Sequence, residues 1–265
     1  MASIDSIGNI VRVMDFHALA RIDKARSTAQ KTRLTEALLE KTIRQISYNK
    51  NLNIDKKLLV SNKDGVDLNI YIGSDLSFCG DFNSTILAEL MNDKSDAKIV
   101  VGQKIYNAAN ENFLYAISKE DFYRDASRIS QIIDELLSDN RIRSVNMIYN
   151  KYYSIDDIRL EKEQIFPVNL PEAEGDNYDV DYVIEHDANR ILCNVMAVYL
   201  NFKVKIAETS SWAAENVNRE KIARESLKRI DDLKEEKRLE ENQKKRYEEL
   251  STQIENFKRL QWRQA

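Results

Sequence analysis

Few residues in this chain are of types that do chemistry, and they are scattered. His17 and His186 are its two histidines, and Cys79 and Cys193 its two cysteines. Asp181, Glu185, His186 and Asp187 crowd together, but their spacing follows no metal-ligand rule. An acid-rich loop accounts for them. A nucleophilic Cys79 needs a base beside it, and neither histidine is near it in sequence. His17 falls within a helical pattern as a tolerated residue. Glycine-rich phosphate loops, GxGxxG, HExxH, CxxC and nucleophile elbows are all missing. The sequence therefore predicts no active site, cofactor or metal.

The elements that carry these residues are helical in character. Glycine and proline number 6 and 2 in 265 residues, far below the usual share of roughly 12%. So few turn-formers favour long helices over a many-stranded β fold. The net charge of −4 gives no electrostatic case for nucleic acid. Two cysteines make no disulfide framework, which points to a reducing interior. No apolar run reaches about 18 residues and no signal-peptide pattern opens the chain. A soluble chain is expected, one that can still sit on a membrane complex.

From Ile4 to Tyr48 apolar residues step by three and four, the spacing of a coiled-coil seam. The expected seam is Ile4, Ile7, Val11, Met14, Ala18, Ile22, Ala25 and Ala29, then Leu34, Leu38, Ile43 and Ile46. Gly8 reads as its one breaker, and the alanines would let a partner helix come close. Residues 66–185 alternate strands with helices, which argues for a small α/β domain. Strands are expected at Val66–Ile72, Ala97–Val101 and Val145–Tyr149, and a fourth within Ser154–Phe166. Helices are expected at Thr85–Met91, capped by Ser84, and at Glu120–Asp139. Pro167–Tyr178 reads as the exit loop.

An apolar cluster over Asn189–Lys205 leads into a run from Ala207 to Ala265 with no glycine or proline. As one helix that run would be roughly 80 Å long, too long to bury itself in a chain of this size. Its seam reads Ile222, Leu227, Ile230, Leu233 and again Tyr247, Leu250, Ile254, Phe257. The stretch between is charged, with Glu240–Lys244 and Glu241–Lys245 at helical i,i+4 spacing.

These residues narrow the layout further. Ser74-Asp-Leu-Ser-Phe-Cys-Gly-Asp-Phe-Asn83 resembles the SD-x-GLCG-x-x-N signature of the γ subunit of F-type ATP synthases, with Cys79, Gly80 and Asn83 on its fixed positions. The opening MASI-xx-I-xxx-V-R, the Tyr149-Asn150 to Phe166-Pro167 region and the approach from Tyr182 to Glu208 are similar to that family too. Its terminal helix can be laid on Glu208–Ile254 without a gap. The departures lie along that helix. Trp212–Lys221 replaces a small-and-basic segment, with Asn218 at a usual Met. The family's Arg-Gln contact with the catalytic ring falls on Gln243, Lys244 and Lys245, with Tyr247 at a usual Ile. Arg263-Gln264 comes some twenty residues too late to be that pair. Leu19–Lys24 offers no clean counterpart to the N-terminal contact segment, and Phe257–Ala265 extends the usual ending.

The resemblance implies an antiparallel coiled coil of the terminal helices (residues 1–50 and 189–265) with a small Rossmann-like α/β domain (66–185). It implies a non-catalytic central rotor stalk in the bore of an α/β hexamer, with ε-like and membrane-ring partners, peripheral to the membrane on its cytoplasmic or matrix side. Gln243, Lys244, Lys245 and Arg246 would touch the catalytic ring. Two alternatives stay open: the shaft of a specialised rotary ATPase that does not make ATP, and a coiled-coil adaptor with no rotary role.

Overall fold

The computed structural model describes residues 2–49, 51–54, 60–95, 97–109, 112–125, 127–139, 141–168, 170 and 187–262. Helices α1 (Ala2–Tyr48) and α6 (Ala188–Trp262) bracket a five-stranded sheet. The chain divides into two compact units, one of Met1–His17 with Glu220–Ala265, the other of Ala18–Arg219.

In the first unit the start of α1 runs antiparallel to α6. Asp5 pairs with Lys234 at 2.6 Å and Asp15 with Arg224 at 3.9 Å, so a step forward on one helix is a step back on the other. The inward faces are Ile4, Gly8, Val11 and Met14 on α1, and Ala223, Leu227, Ile230 and Lys234 on α6. Gly8 is a seam residue and not a breaker: a Cβ there would meet Ile230 Cγ2 at 3.6 Å. Ile7 and Leu233, expected in the seam, are about half exposed. Counting apolar side chains passes over Gly8 and Lys234 and so chooses the neighbouring residue. From 235 to 256 every side chain of α6 is exposed. Tyr247, Leu250 and Ile254 therefore meet no partner among the described residues, and the side chain of Phe257 lies outside them. Nor do the expected Glu240–Lys244 and Glu241–Lys245 ion pairs form among the described residues.

In the second unit the strands are β1 (Val66–Ile72), β2 (Ala97–Val101), β3 (Tyr115–Ile117), β4 (Ile142–Tyr152) and β5 (Ile158–Phe166), in the order β3-β2-β1-β4-β5. The first four are parallel and β5 folds back antiparallel on β4. This is half of a doubly wound sheet, its first strand central. The alternation in Val66–Ile72 divides the layers. Leu68, Ile70 and Ile72 join Ile43, Ile133, Leu192 and Leu200 in one core, while Tyr71 joins Phe82, Ile86 and Leu90 in the other.

The remaining helices are α2 (Phe82–Asn92), α3 (Gln103–Ala108), α4 (Lys119–Arg124) and α5 (Ser127–Ser138). Where one helix was expected over 120–139 there are thus two, the first capped by Ser118, whose hydroxyl accepts from the Asp121 amide. The six-residue α3 and three-residue β3 are too short to leave a periodic signal. The α2 helix starts at Phe82, ahead of Ser84, whose hydroxyl bonds to the Asp81 carbonyl from within the first turn. Along α1 here, Ala18, Ile22, Ala25, Ile43 and Ile46 are buried as expected, but Leu34 and Leu38 are exposed. The stretch between is ionic: Lys203 donates to Glu36 at 2.8 Å and the Tyr199 hydroxyl to Glu40 at 3.4 Å. Of the expected exit loop, residues 171–178 lie outside the described residues.

Candidate functional site

The loop between β1 and α2 gathers the signature residues into one hydrogen-bonded knot. Asn83, in the first turn of α2, accepts from the Ser74 amide at 3.0 Å and donates to the Ser74 hydroxyl at 2.8 Å and to Cys79 Sγ at 3.5 Å. Gly80 supplies the turn with a φ of 58°, the left-handed region that glycine enters without strain. Gly102, after β2, approaches so closely that a Cβ would lie 2.8 Å from the Gly73 carbonyl carbon. Asp75 reaches the other way. Its carboxylate accepts from the amides of Gln103, Lys119 and Glu120 at 2.8, 3.0 and 3.2 Å, joining the starts of α3 and α4 to the loop. The Cys79 thiol is buried, and that burial raises its pKa, the opposite of what a nucleophile requires.

Doubly wound sheets bind ligands at the carboxyl ends of the strands where the order reverses, here between β1 and β4. In this chain α6 fills that place. The Ser211 hydroxyl donates to the Ile72 carbonyl at 3.4 Å, and the Ser210 hydroxyl accepts from the Tyr152 amide at 3.0 Å. The loop's polarity is reversed as well. A phosphate loop offers amides to an anion; here the carbonyls of Leu76 and Ser77 accept from the Arg219 guanidinium at 3.4 Å each.

Beside that guanidinium lies a buried ionic cluster. Lys119 of α4 sits 2.8 Å from Glu215 and 3.5 Å from Glu208, and Glu215 also pairs with Arg219. The Tyr123 hydroxyl donates to Glu208 at 2.6 Å. All four charged side chains are buried, and the two cations balance the two carboxylates. Burial alone would depress the Lys119 ammonium, but Glu215 and Glu208 outweigh it and hold its pKa above the usual lysine value. Burial pushes the Glu208 carboxyl upward against the pull of Lys119 and Tyr123. Sequence reading missed this cluster, although Glu208, Ser211, Glu215 and Arg219 recur at steps of three and four in a segment that also carries Ala207, Ala213, Ala214 and Val217. A charged stripe in an otherwise buried helix was the available signal.

The other expected site residues are not brought together. Gln243, Lys244, Lys245 and Arg246 are exposed on α6. His17 is exposed and lies 5.9 Å from Phe16. Asp181, Glu185, His186, Arg263 and Gln264 lie outside the described residues, while Asp187 accepts from the Asn189 amide at the start of α6. Among the described residues no group of His, Cys, Asp and Glu could hold a metal ion, and no helix is long and apolar enough to cross a membrane. A groove of about 670 Å³ between α1, β4 and α6 is lined by Arg26, Lys151, Tyr152, Glu163 and Lys203. Within it Lys203 pairs with Glu36 and Glu163, and Arg26 donates to the Tyr152 hydroxyl.

Comparison with known proteins gives a consistent picture. The family profile described as ATP synthase matches residues 1–254. The ATP synthase gamma chain of Pelagibacter ubique is 26% identical over 237 residues, covering 83% of this chain and 81% of its own. That of Clostridium perfringens is 24% identical over 242 residues, covering 87% and 84%. Among solved structures, the central stalk/c-ring of the Tetrahymena thermophila mitochondrial ATP synthase shares the fold, with a TM-score of 0.55 and 16% identity, covering 82% of this chain and 99% of that one.

Proposed function

Because this chain belongs to the ATP synthase γ-chain family, we propose that it is the central rotor stalk of an F-type rotary ATPase. The observation that carries this reading is the antiparallel pairing of α1 with α6, past which α6 runs on as a charged helix whose side chains from 235 to 256 are exposed among the described residues. A shaft needs stiffness and a surface that does not bind tightly to any one setting. Continuous helices supply the first and the bare charged run the second.

The chain holds no nucleotide and catalyses nothing itself; hydrolysis or synthesis of ATP belongs to an α/β hexamer around it. Three chemically identical sites meet three different faces of an asymmetric shaft, and each is biased toward a different conformation by its contacts. Gln243, Lys244, Lys245 and Arg246 are the contact to that ring. The working parts are the coiled-coil helices 1–50 and 189–265 and the α/β domain 66–185, which faces ε-like and membrane-ring partners. The assembly is peripheral to the membrane, on its cytoplasmic or matrix side.

The replaced contact segment favours a second reading, a rotary ATPase whose hydrolysis drives something other than ATP synthesis. Co-purification from the native cell with cryo-EM of the product tests both. A hexamer with ε-like and membrane-ring subunits supports the synthase. A hexamer without the membrane ring and with unfamiliar subunits supports the specialised motor. No hexamer overturns both in favour of an adaptor.

A further inference from the structure

The four buried charges at the carboxyl end of the sheet do something that packing alone would not. Burying an ion pair is seldom better than burying apolar side chains of the same size. Stability therefore does not explain why Lys119, Glu208, Glu215 and Arg219 are there. Direction does. Around them α6 presents Ala207, Ser211, Ala214 and Val217, all buried and all small. A face of small side chains fits its neighbours nearly as well after a shift along the helix, because side-chain ridges repeat every three or four residues.

We infer that this cluster is a register key: it fixes the axial and rotational setting of α6 against the α/β domain, so that torque passes between them without slip. The torque role rests on the rotor reading above. The geometry is that of a key with two wards. Lys119 on α4 engages Glu208 and Glu215, and the carbonyls of Leu76 and Ser77 in the loop after β1 engage Arg219. A shift of four residues brings either Arg219 or Ser211 to the place where Glu215 now meets Lys119. The first sets like charges together and the second leaves a buried ammonium short of its partner. A shift of three brings Asn218 or Trp212, neither of which carries charge. Each wrong setting leaves a buried charge uncompensated, the costly half of the asymmetry in buried ion pairs.

The test uses the full chain assembled with its hexamer and membrane sector. Lys119→Met, Glu208→Leu, Glu215→Leu and Arg219→Met together remove the key while keeping the volume apolar. The expected result is a folded rotor with unchanged unloaded ATP hydrolysis. Ion pumping per ATP under load should fall about twofold or more, since two settings of equal energy are equally populated. Full coupling in that variant overturns the inference. Should the fourfold variant fail to assemble, Glu208→Gln, which preserves shape and removes one charge, decides: coupling lower than in the unaltered chain supports the key, unaltered coupling overturns it.

Register has its own readout. Trp212 on α6 lies edge-on to Tyr123 at 6.3 Å, and Trp262→Phe leaves it the sole tryptophan. Its fluorescence decay should be uniform with the key present and divided between environments without it; identical decays overturn the key. An unaltered chain that drives no rotation overturns the rotor reading and the torque role together. The Trp212 decay then separates that failure from a failure of the key.

Discussion

Helix α6 leads two different lives. From Leu192 to Arg219 it is packed along the sheet, with Leu192, Met196, Leu200, Val204, Ala207, Ala214 and Val217 buried. From 235 to 256 no side chain is buried at all. The first stretch buries Glu208, Glu215 and Arg219 against partners; the second carries many more charges, all in water. A buried charge needs a partner in a fixed direction, whereas a hydrated one is served equally from every side. One stretch is thus built to be held in a single setting and the other to be held in none.

The sharpest way to break this contrast is Glu215→Leu. It leaves Lys119 and Arg219 short of a buried partner and is expected to cost about 3–5 kcal/mol in urea denaturation. Asn83→Ala comes next, at about 2 kcal/mol, because it strips hydrogen bonds from the Ser74 amide and hydroxyl that hold the loop under Arg219. The pH limb follows. Lys119 has its folded pKa raised, so its contribution is fully present below the usual lysine value of 10.5 and is lost as pH climbs through the folded one. Denaturation midpoints should therefore fall more steeply on that limb in the unaltered chain than in the fourfold apolar variant.

Two smaller effects sharpen the other side. Gly8→Ala is expected to stabilise by up to about 1 kcal/mol, since alanine favours a helix interior and its methyl finds ordinary contact distance to Ile230. Thermal melting checks it, and a fall in the midpoint would mean a tighter seam than the geometry shows. Tyr247→Ala, on the bare stretch, should change the stability of the isolated chain by no more than about 0.5 kcal/mol. A larger loss would mean that Tyr247 has a partner within the chain.

The legible parts of the sequence were those governed by local repetition. Low glycine and proline content and three-four stepping gave both long helices, period-two alternation gave β1, and short apolar-rich runs gave β2 and the centre of β4. Where the seam turned polar, at Glu36 and Glu40, repetition misled, because a residue paired with Lys203 or Tyr199 does not look like core. The signature at Cys79, Gly80 and Asn83 was visible as a pattern. Its partner across the fold, Arg219, was not, since nothing local links a loop near residue 77 to a helix more than a hundred residues later. For the same reason nothing local marks Lys119: its burial depends on Glu208 and Glu215, which only folding brings to it.

The two thiols, finally, give the molecule a stopwatch. Cys79 is buried within the signature loop and Cys193 is half-buried near the start of α6. An alkylating reagent reaches Cys79 only when the loop opens, so its labelling rate, divided by that of Cys193 in the same sample, tracks the fraction of time the loop is open. Measured while ATP is being hydrolysed, that ratio reports whether the loop stays shut through a working cycle.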